Sequence, residues 1–116
     1  MCGIVGIVSA WPVDLPLLES ARDRLAHRGP DHAGAWLSED GRTCLGHRRL
    51  AIIDLNPEAN QPFLSADRRF AITFNGEIYN YRALRDELSA CGVRFRTKSD
   101  TEVLVEAFRR WKERCL

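Results

Sequence analysis

The stretch Met1-Cys2-Gly3-Ile4-Val5-Gly6-Ile7-Val8-Ser9 decides the fold of this 116-residue chain. Its β-branched residues, Ile4, Val5, Ile7 and Val8, lie in a glycine-punctuated run, so Cys2 to Ser9 is expected to form a buried strand leading straight from the first residues. Cys2 follows Met1 directly, and a small side chain there normally permits removal of the methionine. Removal makes Cys2 the first residue. A free α-amino group titrates near ~7.7 to 8.0 and a free thiol near ~8.5, so such a cysteine holds a nucleophile and a base on one residue. The plain alternative is a small buried hydrophobe at the start of a strand.

Composition narrows the class. Hydrophobic residues make up 45% and charged residues 28% of the chain, which suits one globular domain with a core of its own. Seventeen basic against sixteen acidic residues leave a net charge of +1, too little to steer nucleic acid or an anionic membrane. The first apolar run contains glycines, lacks a basic segment before it and breaks at Trp11-Pro12, so it does not read as a signal peptide, and no other segment approaches transmembrane length. Cys2, Cys44, Cys91 and Cys115 form no CxxC pair, and His27, His32 and His47 offer no metal-ligand spacing beside them. A reducing cytoplasm is the expected compartment.

Outward from the first strand, Asp14 is placed to cap a helix with Pro16 in its first turn, ending near His27. Short strands are expected at Ala33 to Leu37, Thr43 to His47 and Ala51 to Asp54, then a loop over Asn56 to Pro62. Phe70, Ile72 and Phe74 alternate with smaller residues and run into Asn75-Gly76, a strong hairpin signal, with Glu77 to Tyr79 returning. Tyr81 to Ala90 has helical spacing and Gly92 as its stop. Val93 to Phe95 suggests a short strand. Ser99-Asp100-Thr101-Glu102 is a capping box opening a last helix, with Leu104, Phe108, Trp111 and Cys115 on one face.

Six ordered strings carry a resemblance: Met-Cys-Gly-Ile-Val-Gly at the start, His27-Arg28-Gly29-Pro30-Asp31, Gly46 to Asp54, Asn60-Gln61-Pro62, Phe74 to Asn80, and Ser99 to Glu102. Together they resemble the glutaminase domain of the asparagine synthetase family, the class II glutamine amidotransferases, over the whole chain. The resemblance implies an α+β fold of the N-terminal-nucleophile hydrolase type, layered αββα with two mostly antiparallel sheets. It also implies hydrolysis of the side-chain amide of L-glutamine through a Cys2 thioester, with the Cys2 amine as base.

The same resemblance assigns the remaining roles. Asn75 and Gly76 are expected to form the oxyanion hole; the competing reading is a type I′ turn. Arg49 matches the partner of the glutamine α-carboxylate, suited to a planar bidentate donor, although an isolated arginine is more often a solvated charge. Leu50, Ala51, Ile52 and Ile53 continue the glutamine-binding stretch through their backbone, with their side chains expected in the core. Asp100, with Glu77 near it, matches the partner of the α-ammonium group; otherwise it is a helix cap. Arg28 is expected to support the N-terminus or its loop. The three histidines are expected to be structural, and Cys44, Cys91 and Cys115 small buried hydrophobes.

Glutaminase domains of this family run past residue 116, so residues 1–116 are expected to be the front portion of one, apparently truncated. The synthetase domain that uses ATP and Mg²⁺ is expected elsewhere, in cis or in trans, and a homodimer is compatible with the family. Ammonia would then amidate an acceptor carboxylate, most simply that of aspartate. A different class of function stays open: a non-catalytic glutamine-binding or interaction half-domain.

Overall fold

The structure, a computed structural model, describes residues 1–52 and 56–115. The opening stretch is a strand, β1 (Gly3–Val8), whose side chains alternate: Val5 and Ile7 turn inward while Ile4 and Val8 remain exposed. Gly3 is required, because a Cβ there would stand 2.6 Å from Cβ of Leu25. Helix α1 (Leu15–Asp23) has Pro16 in its first turn and buries Leu18 and Arg22. It stops short of His27. Leu25 and Arg28 instead make i to i−3 bonds to Arg22 and Leu25, tightening the chain into turns, and the Asp14 side chain makes no cap bond.

Strands β2 (His32–Leu37) and β3 (Thr43–Arg49) complete an antiparallel sheet in the order β1-β3-β2. The central β3 places Gly46 under α1, close to Val5, Arg22 and Leu18. Residues 51 and 52 are not a strand; the rest of that expected strand, Ile53 and Asp54, lies outside the described residues. Within the expected loop, Pro57–Ala59 forms a 3₁₀ turn capped by Asn56.

The Asn75-Gly76 hairpin does not form. Strand β5 (Ala71–Ile72) pairs instead with the preceding β4 (Phe63–Leu64), closing a small second sheet. The turn between them is built by Ser65, Asp67 and a left-handed Arg68 at φ 57°. Neither Asn75 nor Gly76 has positive φ, which a type I′ turn requires. Tertiary partners take the backbone groups that a hairpin would pair: Phe74 N donates to Gln61, and Ile78 N donates to Asp100.

Helix α2 (Tyr81–Ala90) matches its predicted span and is followed by Gly92 at φ 90°. The 93–95 segment is not a strand. Its residues pack by side chain, Val93 and Phe95 joining Leu88, Val103 and Ala107 in the core, with the Arg85 guanidinium 4.2 Å over the Phe95 ring. Helix α3 (Asp100–Trp111) has Ser99 as its N-cap, accepting the Glu102 N–H at 3.2 Å. The capping box is only half made: the Glu102 carboxylate bonds Arg96 N and Thr97 N instead of returning to Ser99.

The expected apolar face of α3 divides between two neighbours. Trp111 and Cys115 pack with the Leu88 cluster, whereas Phe108 meets Phe70 edge-on at 5.6 Å. Helix α3 thus bridges α2 and the β4–β5 hairpin. Of the other cysteines only Cys44 is buried; Cys91 is exposed and Cys115 half-buried, against expectation. No described helix is long and apolar enough to cross a membrane. The result is a small α+β domain with two antiparallel sheets.

Candidate active site

Cys2 stands one residue before β1, and the end of β3 brings Leu50 beside it. The Cys2 thiol accepts the Leu50 N–H at 3.3 Å and faces the Leu50 carbonyl at 3.7 Å. Two loop residues hold this junction. Arg28 donates from Nε to the Cys2 carbonyl at 3.2 Å, and Asp31 accepts the Ala51 N–H at 2.8 Å. Arg28 thus contacts the Cys2 backbone and not the thiol.

Arg49 ends β3 and is 8% exposed. Its Nη1 donates to Asn60 Oδ1 at 2.6 Å and to the Asn56 carbonyl at 3.3 Å, so the 3₁₀ turn fixes the plane of the guanidinium. This is no solvated surface charge. Asp100 is also buried, at the first turn of α3, and its Oδ2 accepts the Ile78 N–H at 3.1 Å. Ser99 does the capping, which removes the helix-cap explanation for Asp100.

Residues 74–77 cross between these anchors. A Cβ on Gly76 would come within 2.6 Å of the Phe74 ring, so a larger residue there would have to push the ring aside. Beneath the segment, His47 is fully buried with Nε2 3.4 Å from the Phe74 carbonyl. Burial holds its imidazole down to about 4, with Arg49 nearby acting in the same direction, so it is neutral at physiological pH. His47 supports the site from below.

One cavity of about 370 Å³ joins these parts. Cys2, Arg49, Asn75, Gly76, Glu77 and Asp100 all line it, and Leu50 and Ile52 lie on its wall. Ala51 and Arg28 are not among its lining residues. Ile52 departs from expectation, with its side chain 74% exposed instead of in the core, and Ile53 lies outside the described residues. Sequence reasoning missed Gln61 and Thr101, which also line the cavity and bond each other at 3.1 Å. The signals available for them were the Asn60-Gln61-Pro62 string for Gln61 and the Ser99-Asp100-Thr101-Glu102 string for Thr101.

A cysteine thiol, the adjacent Asn75 and Gly76, a cation and an anion thus line one cavity. The sequence pattern of the family described as glutamine amidotransferase domain matches residues 1–116, the full chain. The chain belongs to that family. This amidotransferase domain is 42% identical over 118 residues to asparagine synthetase [glutamine-hydrolyzing] 1 of Bacillus subtilis, covering 97% of the domain and 18% of the relative. A probable asparagine synthetase [glutamine-hydrolyzing] of Dictyostelium discoideum is 42% identical over 112 residues, 93% of the domain and 20% of the relative. Amidase chry2 of Gibberella zeae is 39% identical over 94 residues, covering 81% and 14%. The amidotransferase domain spans about a fifth or less of the length of these curated relatives.

Proposed function

We propose that this domain hydrolyses the side-chain amide of L-glutamine to glutamate and ammonia with Cys2 as the nucleophile, and that it does so as an N-terminal-nucleophile hydrolase. The observation that carries the reading is the shared cavity, in which Cys2, Asn75, Gly76, Arg49 and Asp100 meet although they come from four separate segments.

Arg49 binds the α-carboxylate and Asp100 the α-ammonium group, which leaves the δ-carbonyl directed at the thiol. The Cys2 amine takes the thiol proton as sulfur attacks the carbonyl carbon. The developing oxyanion is held by the Asn75 side-chain amide and the Gly76 N–H, a type of donor whose loss costs ~10² to 10³ in rate. The same amine passes its proton to the leaving nitrogen, so ammonia departs and a thioester remains. Water then attacks the thioester, releasing glutamate and restoring the thiol.

Met1 bears directly on this scheme. While present it ties the Cys2 nitrogen in a peptide bond and lines the cavity, so its removal both frees the base and opens the site. Ammonia is taken up by ATP-dependent amidation of a carboxylate, most simply aspartate to asparagine, in a synthetase domain in cis or in trans. ATP and Mg²⁺ belong to that domain, and no step at Cys2 calls on them. The likeness to a protein named an amidase as well as to asparagine synthetases keeps the acceptor a separate question. The described cysteines are all free thiols, which suits a reducing cytoplasm.

The test is glutamate release from glutamine by protein whose loss of Met1 has been verified by mass spectrometry. Release abolished by Cys2→Ala supports the reading. A folded, Met1-free protein that binds glutamine and releases no glutamate belongs instead to the non-catalytic class of binding modules.

A further inference from the structure

Gln61 lies between the Pro57–Ala59 turn and β4, and the reaction above does not use it. Its side chain is nonetheless committed at both ends of the amide. Oε1 accepts the Phe74 N–H at 2.6 Å, and Nε2 donates to Thr101 Oγ1 at 3.1 Å. The Phe74 N–H can only donate, so the orientation of the amide follows from its partners. The Gln61 backbone is equally constrained, because its carbonyl rests against Gly34 of β2 where any Cβ would collide.

We propose that Gln61 is a positioning residue that locks the oxyanion segment to the helix bearing Asp100. The proposal rests on the amide-hydrolysis reading given above. Phe74 immediately precedes Asn75, and Thr101 immediately follows Asp100, so one buried side chain ties the residue beside the oxyanion donors to the residue beside the ammonium anchor. Other polar ties of this segment are longer: Thr73 Oγ1 to the Gly46 carbonyl at 3.4 Å, His47 Nε2 to the Phe74 carbonyl at 3.4 Å, and Ile78 N to Asp100 at 3.1 Å. Gln61 thus gives this segment its shortest polar tie and joins it to α3 by a second bond equal in length to the Ile78–Asp100 contact.

The requirement comes from the substrate. Glutamine is gripped at its α-ammonium by α3 and at its reacting carbonyl by residues 75 and 76, and the spacing of the two grips must match one molecule. Loss of the lock leaves each contacting group in place but lets their spacing vary. Donors aimed at the oxyanion act on the transition state, so the loss falls on kcat more than on KM.

The experiment uses the full chain with Met1 removed and follows glutamate release. Gln61→Ala is expected to lower kcat ~10- to 10²-fold with KM for glutamine within ~3-fold, the effect of misplaced and not missing groups. Gln61→Glu retains an acceptor for the Phe74 N–H, and the Thr101 hydroxyl can donate to it, so part of kcat returns. Thr101→Val is expected to lower kcat and Thr101→Ser to preserve it. Hydrogen exchange at the Phe74 amide should accelerate in Gln61→Ala.

An unchanged kcat in Gln61→Ala overturns the proposal, as does a loss of kcat that merely tracks a fall in Tm. Should Gln61→Ala not fold, equal kcat in Thr101→Val and Thr101→Ser overturns it. If the parent chain with a free Cys2 amine releases no glutamate, the amide-hydrolysis reading falls and takes the catalytic role of Gln61 with it. Phe74 exchange then reports the lock alone.

Discussion

The Cys2 thiol and the backbone of Leu50 face each other across the end of β3, with the Leu50 N–H 3.3 Å and its carbonyl 3.7 Å from sulfur. Arg49, the last residue of β3, directly precedes Leu50, so the contact to the Cys2 thiol and the buried guanidinium belong to one short segment. Cys2→Ser keeps a polar atom for Leu50 and removes the sulfur. It should fold with an unchanged melting temperature and release no glutamate; retained turnover would remove Cys2 from the mechanism.

Asp100→Asn separates substrate binding from folding. The asparagine oxygen still accepts the Ile78 N–H and Ser99 still caps α3, so the stability loss is confined to the helix-dipole contribution of ~0.3 to 1 kcal/mol. A charge-assisted contact with the substrate ammonium is worth ~1.5 to 3 kcal/mol, so kcat/KM for glutamine should fall ~10- to 10²-fold. Steady-state kinetics beside thermal unfolding reads both quantities, and parallel losses would return Asp100 to a structural role.

Asn60→Ala tests the seating of Arg49. The guanidinium loses its 2.6 Å partner and keeps the Asn56 carbonyl, so its plane is less well held. KM for glutamine is expected to rise about tenfold with kcat within about threefold, since the contact is made to ground state and transition state alike.

Gly34→Ala acts at a distance from the thiol. The new methyl would occupy the position of the Gln61 carbonyl, backbone that cannot swing aside. Overpacking of this kind costs about 1 to 3 kcal/mol, and displacement of Gln61 should lower glutamate release as well. Chemical denaturation measures the first effect and turnover at saturating glutamine the second.

Stability should depend on pH through His47. Burial lowers its folded pKa to about 4, whereas an unfolded histidine titrates near ~6.5. Between those values the unfolded chain binds a proton that the folded chain does not. The contribution is complete above pH ~6.5 and is lost as pH falls toward about 4. Burial shifts His32 in the same direction. Melting temperature followed from pH 7 to pH 4 should decline, and His47→Gln should shallow the decline; a rise on acidification would contradict the assignment.

Elements governed by neighbouring residues were legible in the sequence. β1 follows from its β-branched run, α2 from the Tyr81 to Ala90 spacing with Gly92 beyond it, and the start of α3 from Ser99 and Glu102, because strand period, glycine stops and N-caps act within a few residues. Cys2 stood out by its place directly behind Met1, whereas Arg49, Asn75, Gly76 and Asp100 were named from ordered motifs that resemble a family, not from any local physical signal. Asn75-Gly76 shows the difference: its local chemistry favours a hairpin, yet Gln61 and Asp100 take the Phe74 and Ile78 amides, and Asn75 and Gly76 line the cavity instead.

The sequence by itself determined the strand at Cys2, the capped helices and a set of candidate polar residues. Only the tertiary structure decided that β5 pairs backward with β4, that Asn60 clamps Arg49, and that Gln61 joins Phe74 to Thr101. The last two outcomes depend on buried N–H, C=O and side-chain amide groups finding partners 11 to 40 residues away. A buried polar group must be satisfied somewhere, and which distant partner satisfies it is settled only when the layers pack.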